Sequence, residues 1–109
     1  MENKTAVTAL AALAQETRLS LFRALVQAGP AGLAAGKISE MLGISPSSLS
    51  FHLKELVHAG LIESRNESRF VIYSANFAAM NQLLAFLSEN CCGGNDCSGA
   101  SVSRCEPQT

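Results

Sequence analysis

Between Ile44 and Ile62 the chain reads ISPSSLSFHLKELVHAGLI, and this stretch leaves little freedom about what it can become. Ser45 followed by Pro46 has the chemistry of a helix start. The serine oxygen can accept from backbone N–H groups that lack a partner in the first turn, and proline lacks the N–H that would go unpaired there. Leu49, Leu53, Leu56 and Val57 recur at i, i+4, i+7 and i+8, which sets them on one helical face. Ser47, Ser48, Ser50, Phe51, Lys54 and Glu55 fall on the other. Gly60 supplies a left-handed stop. Upstream, Lys37 to Leu42 is a short helical pattern closed by Gly43 and Ile44. Two helices across a turn of about three residues, the second opening on small polar side chains, make the helix-turn-helix pattern. Small hydroxyls there let a helix approach base edges and phosphates closely. An amphipathic core helix with a polar outside has the same periodicity, so the helix pair alone leaves DNA reading and plain packing both open.

The next residues narrow the choice. Leu61 to Glu63 begins a strand, and Phe70 to Ala75 (FVIYSA) is rich in β formers. Between them Ser64 to Arg69 is expected to be a polar turn carrying two arginines, Arg65 and Arg69. A hairpin directly after a helix-turn-helix makes a wing. The whole run, with the later VIYS, resembles the core signature of the ArsR/SmtB family of metal-responsive repressors. Ser45, Ser50, His52, Leu53, Leu56, Ala59, Gly60, Leu61 and Ile62 carry the resemblance, which extends from about Ala6 to Glu89. It implies a mainly α fold with a β-hairpin wing, in the order α-α-α-α-β-β-α. It also implies a homodimer that binds double-stranded operator DNA.

Composition agrees with one small domain of this kind, since 109 residues do not hold two cores. Hydrophobic residues make up 48%, and mean hydropathy is +0.19. That is more apolar surface than a small monomer hides easily, so a dimer is expected. No run approaches the roughly 18 apolar residues of a membrane span. The opening MENKTAV lacks the basic-then-apolar layout of a signal peptide, so a cytoplasmic location is expected. Thiols in that compartment stay reduced, which turns four cysteines toward metal or redox chemistry rather than structural disulfides. Net charge is −1. From Lys37 to Arg69 the basic residues (Lys37, Lys54, Arg65, Arg69) are matched by Glu40, Glu55, Glu63 and Glu67. DNA affinity would therefore rest on where the basic groups sit, on helix N-termini and on doubling by dimerisation.

Taken in order, Thr5 to Ala14 is Ala- and Leu-rich and helical by propensity. Thr17 to Ala28 follows, with Leu21, Phe22 and Leu25 on an apolar face, Arg18 and Arg23 outside, and Gly29-Pro30 as its stop. Ala31 to Gly36 reads as a flexible link or a short edge strand. Asn76 is placed to cap a last helix from Phe77 to about Asn90, with Phe77, Met80, Leu84 and Leu87 at helical spacing and Leu83 beside them. The resemblance implies that the first and last helices pair across a twofold axis. A palindromic operator likewise needs two recognition helices about one DNA turn apart. The expected organisation is a winged-helix DNA-binding and dimerisation domain over 1–90 and a flexible cysteine-rich tail over 91–109.

All the cysteines sit in that tail: Cys91, Cys92, Cys97 and Cys105. Cys91 and Cys92 are expected to end the helix, and Gly93-Gly94 allows Cys97 to fold back on them. Adjacent cysteines do not close easily into a disulfide, because the linkage strains the peptide between them. Soft thiolates select thiophilic ions. Three sulfurs suit a trigonal-pyramidal ion with a lone pair, As(III) or Sb(III), whereas zinc asks for a fourth ligand that Cys105 could supply. A small structural zinc staple would use the same residues. Among family sites, the cysteine pair on the helix before the recognition helix is absent, since Lys37 to Leu42 holds no cysteine. The last-helix zinc site is absent too, since only Glu89 is available. NCCGGNDC is similar to the subgroup whose arsenic thiolates lie at and just after the end of the last helix.

The expected protein is thus a repressor, not an enzyme. Nothing in the chain has the spacing of a catalytic set or of a phosphate-binding glycine loop, and no organic cofactor is expected. Ser47, Ser48, Ser50 and Phe51 would face the major groove, and Lys54, Arg65 and Arg69 would meet phosphates. Cys91, Cys92 and Cys97 would hold As(III) or Sb(III) as inducer, releasing the operator of an arsenic-resistance operon. His52 is read as a packed histidine and His58 as a solvated one. Three alternatives stay open: a thiol redox or methylarsenite sensor on the same fold, a cadmium- or zinc-type sensor using all four cysteines, and a protein-interaction or metal-carrier module that uses the winged helix as a dimer scaffold.

Overall fold

In the computed structural model, which describes residues 1–94, the helix at the centre of the chain runs from Pro46 to His58 and is designated α4. The Ser45 hydroxyl accepts from the Ser48 N–H at 3.2 Å, and Pro46 takes the first helical position. Leu49, Leu53 and Leu56 are buried. Val57, expected on the same face, is 41% exposed, because the stripe drifts past the core edge in the last turn. The helix closes through Gly60 at φ 78°, with the Leu61 N–H donating to the Leu56 carbonyl at 3.1 Å. A β-carbon there would cost the left-handed geometry that lets Leu61 turn back into the core.

Around α4 stand α1 (Asn3–Leu13), α2 (Glu16–Ala28), α3 (Ala35–Leu42) and α5 (Phe77–Leu87). Strands β1 (Leu33–Ala34), β2 (Ile62–Glu67) and β3 (Phe70–Ala75) form one antiparallel sheet in the order β1-β3-β2. The expected link before α3 therefore contains the edge strand, pairing Leu33 with Tyr73 and Ala34 with Ile72. Helix α1 meets the core with Ala6, Ala9 and Ala12, small side chains that admit a close approach, and leaves Val7 and Leu10 outside. The fully buried residues are Leu21 and Leu25 of α2, Ile38 of α3, Leu56 of α4, and Leu61 and Ile62 where the hairpin starts.

Two expected boundaries move by three residues or more. Residues Ser64 to Glu67, read as turn, belong to β2, and the turn is the two-residue Ser68-Arg69 between the paired Glu67 and Phe70. Ser68 takes φ 57°, as tight hairpin turns require. Past Ile62 every residue of β2 is exposed, so the apolar-polar alternation that marks a half-buried strand is missing. The last helix stops at Leu87, short of Asn90. The Ser88 hydroxyl donates to the Leu84 carbonyl at 2.9 Å, and Asn90 adopts φ 55°. Cys91 and Cys92 accordingly lie beyond the helix, in a separate turn over Cys91–Gly94 in which Cys92 and Gly93 are left-handed.

Candidate functional site

The α3–α4 corner takes three residues, Gly43 to Ser45, with Gly43 left-handed at φ 66°. Its N–H donates to the Ser39 carbonyl at 2.9 Å, and the Ser39 hydroxyl donates to the Ile44 carbonyl. These contacts fix the angle at which α4 leaves α3. With the leucine stripe facing inward, Ser47, Ser48, Ser50, Phe51 and Lys54 are all exposed along one outer surface of α4. Phe51, 56% exposed, is the large apolar member of that surface, and its ring meets His52 edge-on at 5.5 Å. A helix N-terminus, small hydroxyls and one ammonium are what a phosphate-and-base surface needs.

His52 is half-buried, and its Nδ1 lies 3.5 Å from Nη1 of Arg18. Arg18, expected outside α2, is itself half-buried, and its Nε donates to the Ala12 carbonyl at the end of α1 at 2.7 Å. One guanidinium thus touches α1 and α4 while belonging to α2. No local pattern announces this, because His52 lies 34 residues away in the chain. His58 is exposed, as read.

The wing arginines differ. Arg69 sits in the hairpin turn and, among the described residues, forms no ion pair. The guanidinium of Arg65 turns back on the protein. It donates to Glu67 Oε2 at 2.7 Å and to the backbone carbonyls of Ala31 at 2.7 Å and Pro30 at 3.4 Å. A phosphate would have to displace those acceptors and approach the Glu67 carboxylate.

The sulfurs of Cys91 and Cys92 are 3.8 Å apart, and both residues are exposed. As thiolates, two adjacent cysteines can supply two soft ligands to one thiophilic ion. Cys92 holds the left-handed φ of 56°. Cys97 and Cys105 lie outside the described residues. Among the described residues, no three of His, Cys, Asp and Glu gather around one point. Helices α2 and α5 border an apolar groove of about 280 Å³ lined by Leu19, Phe22, Val26, Met80, Leu83 and Leu84. Among the described residues no helix is long and apolar enough to cross a membrane.

Comparison with known proteins agrees with this architecture. A helix-turn-helix domain model matches residues 13–65. The HTH-type transcriptional regulator YgaV of Escherichia coli K12 is 31% identical over 87 residues, spanning 80% of this chain and 86% of its own. The arsenical resistance operon repressor of Bacillus subtilis 168 is 33% identical over 91 residues, covering 79% of this chain and 83% of its own. The solved structure of HlyU from Vibrio cholerae, a protein named as a transcriptional activator, superposes with a TM-score of 0.64 at 32% identity, over 84% of this chain and 99% of that one. With the helix-turn-helix corner, the hairpin wing and relatives of this identity across most of its length, the chain belongs to the ArsR/SmtB family of winged-helix transcriptional regulators.

Proposed function

We propose that the protein is a homodimeric, metalloid-responsive repressor. It binds the operator of an arsenic-resistance operon and leaves it when trivalent arsenic or antimony is taken up by thiolates of the tail. The observation that carries this reading is the pair of exposed sulfurs 3.8 Å apart just past α5, on a chain a third identical to an arsenical resistance operon repressor. Cys97 supplies the third sulfur in this proposal, and 91–109 is the sensing segment attached to a winged-helix domain over 1–90. Ser47, Ser48, Ser50 and Phe51 face the major groove, and Lys54 and Arg69 meet phosphates. A second copy covers the exposed apolar side chains of α1 and α5, Val7, Leu10, Leu84 and Leu87, and brings two α4 helices onto one duplex. Release requires only that the ion bind the DNA-free form more tightly than the DNA-bound form.

The test is a mobility shift on duplex DNA from upstream of the protein's own gene, with arsenite titrated under strictly reducing conditions. Cys91→Ser, Cys92→Ser and Cys97→Ser should each bind DNA as the parent does and fail to release it. Cys105→Ser should respond almost as the parent, since gathering that residue costs extra ordering entropy. Absorption spectroscopy on the loaded protein should find three sulfur neighbours. Loss of response in Cys105→Ser alone, or a fourth ligand, would replace the metalloid with a zinc- or cadmium-type ion. One competing input is oxidation of the tail thiols, which four cysteines within nineteen residues permit. Release by a mild oxidant with no response to arsenite would establish it.

A further inference from the structure

On β3, Ile72 pairs with Ala34 on one side and with Arg65 on the other. Neighbouring strands lie about 4.8 Å apart, so a β2 side chain reaches the ground beyond β3 only by crossing it. Arg65 makes that crossing. Its Nη2 and Nη1 end on the carbonyls of Ala31 and Pro30, in the 3-10 turn Gly29–Ala31 that follows α2. Its Nε is held by the Glu67 carboxylate on the same strand. The corner it reaches is itself seated on the sheet: a β-carbon on Gly32, at φ 71°, would collide with the Tyr73 carbonyl oxygen. The outer part of β2 has no such seat, because every residue past Ile62 is exposed.

We propose that Arg65 is a positioning residue for DNA binding, bracing the wing against the corner after α2 and so setting where Arg69 meets a phosphate. This role rests on the DNA-binding reading above. Two features support it over direct phosphate contact. The guanidinium already donates to three acceptors in three directions, and a carboxylate 2.7 Å away offsets its charge. Only a planar fork of donors meets this arrangement. A lysine ammonium is a single point charge, adequate for a phosphate but unable to span two carbonyls and a carboxylate.

The experiment measures duplex affinity against salt for the full chain, with DNA from upstream of its own gene as probe, for Arg65→Ala, Arg65→Lys and Arg69→Ala. Amide hydrogen exchange of Glu63 to Val71 is followed in the same proteins. Arg69→Ala should flatten the slope of log K against log salt by about one, the loss of one phosphate contact. Arg65→Ala should weaken binding about tenfold, the equivalent of one charge-assisted hydrogen bond, with the slope unchanged and the hairpin amides exchanging faster. Arg65→Lys should bind no better than Arg65→Ala. Rescue by lysine, with the slope of Arg65→Ala reduced by about one, would make Arg65 a phosphate contact and overturn the proposal. Unchanged affinity and unchanged exchange in Arg65→Ala would overturn it as well. A parent that binds no duplex at all would sink the DNA-binding reading and this role together, before any variant is compared.

Discussion

Helices α4 and α5 look alike on paper. Each opens on a polar cap, Ser45 or Asn76, whose side chain accepts a backbone N–H three residues on. Each carries leucines at helical spacing. Yet α4 buries Leu49, Leu53 and Leu56, whereas α5 buries only Leu83 and leaves Leu84 and Leu87 57% and 58% exposed. Leucine spacing reports that a face is to be covered and does not report by what. The α4 stripe is covered by its own chain, namely α1, α2, α3 and the start of β2. The α5 stripe runs past the edge of that core into the open, beside the apolar groove against α2. In the proposed dimer a second copy closes it.

The sharpest way to break this comparison is to truncate one leucine from each stripe. Leu56→Ala removes a fully buried side chain and should cost about 2–5 kcal/mol, which is much of the 5–15 kcal/mol typical of a domain. Urea unfolding should show the loss at any protein concentration. Leu84→Ala should cost far less within the chain, and its midpoint should depend on concentration. Equal, concentration-independent losses in both variants would mean that α5 is a core helix like α4.

A charge on the outer stripe probes the same difference with a smaller effect on the fold. Leu84→Glu with Leu87→Glu places two carboxylates where the proposed partner sits, while exposed positions of a monomer tolerate them at little cost. Sedimentation should then find monomers that retain helical circular dichroism and bind the full operator weakly. A dimer that survives the double change would place the interface elsewhere.

What was legible follows from how local each determinant is. The cap, stripe and stop of α4 lie within Ser45 to Gly60, so the helix, its corner with α3 and its outward serines were readable directly. The outer half of β2 was not, because exposure on both sides erases the alternation that marks a strand, and Ser64 to Glu67 read as turn. Arg65 and Arg18 were read as outward cations, but their partners, Pro30 and Ala31 for one and His52 for the other, lie 34 or 35 residues away. The sequence extends α5 to Asn90 because no glycine or proline marks a stop before it, whereas the chain leaves the helix after Leu87 and Asn90 turns left-handed at φ 55°. Cys97 and Cys105 lie outside the described residues, so the proposed thiolate set rests on the sequence spacing and on the adjacent Cys91 and Cys92.

The two caps offer the finest test of the difference between the helices. Ser45 accepts one backbone N–H, from Ser48 at 3.2 Å, and its site is exposed. Ser45→Ala should therefore cost about 1 kcal/mol, the usual worth of such a cap. Asn76 does more. Its Oδ1 accepts from the Ala79 N–H at 3.1 Å, while its Nδ2 donates to the Gly60 carbonyl, also at 3.1 Å. It joins the start of α5 to the glycine that ends α4. Asn76→Ala loses both bonds and should exceed the Ser45→Ala loss by the worth of one hydrogen bond, about 0.5–1.5 kcal/mol. Asn76→Asp keeps the acceptor, adds a favourable charge at the helix N-terminus and removes the donor to Gly60, so it should fall between the parent and Asn76→Ala. Chemical unfolding of the four proteins at one concentration would rank them. If Asn76→Ala costs no more than Ser45→Ala, the bond to Gly60 contributes nothing, and α5 is attached to the α4 corner by its backbone and buried Leu83 alone.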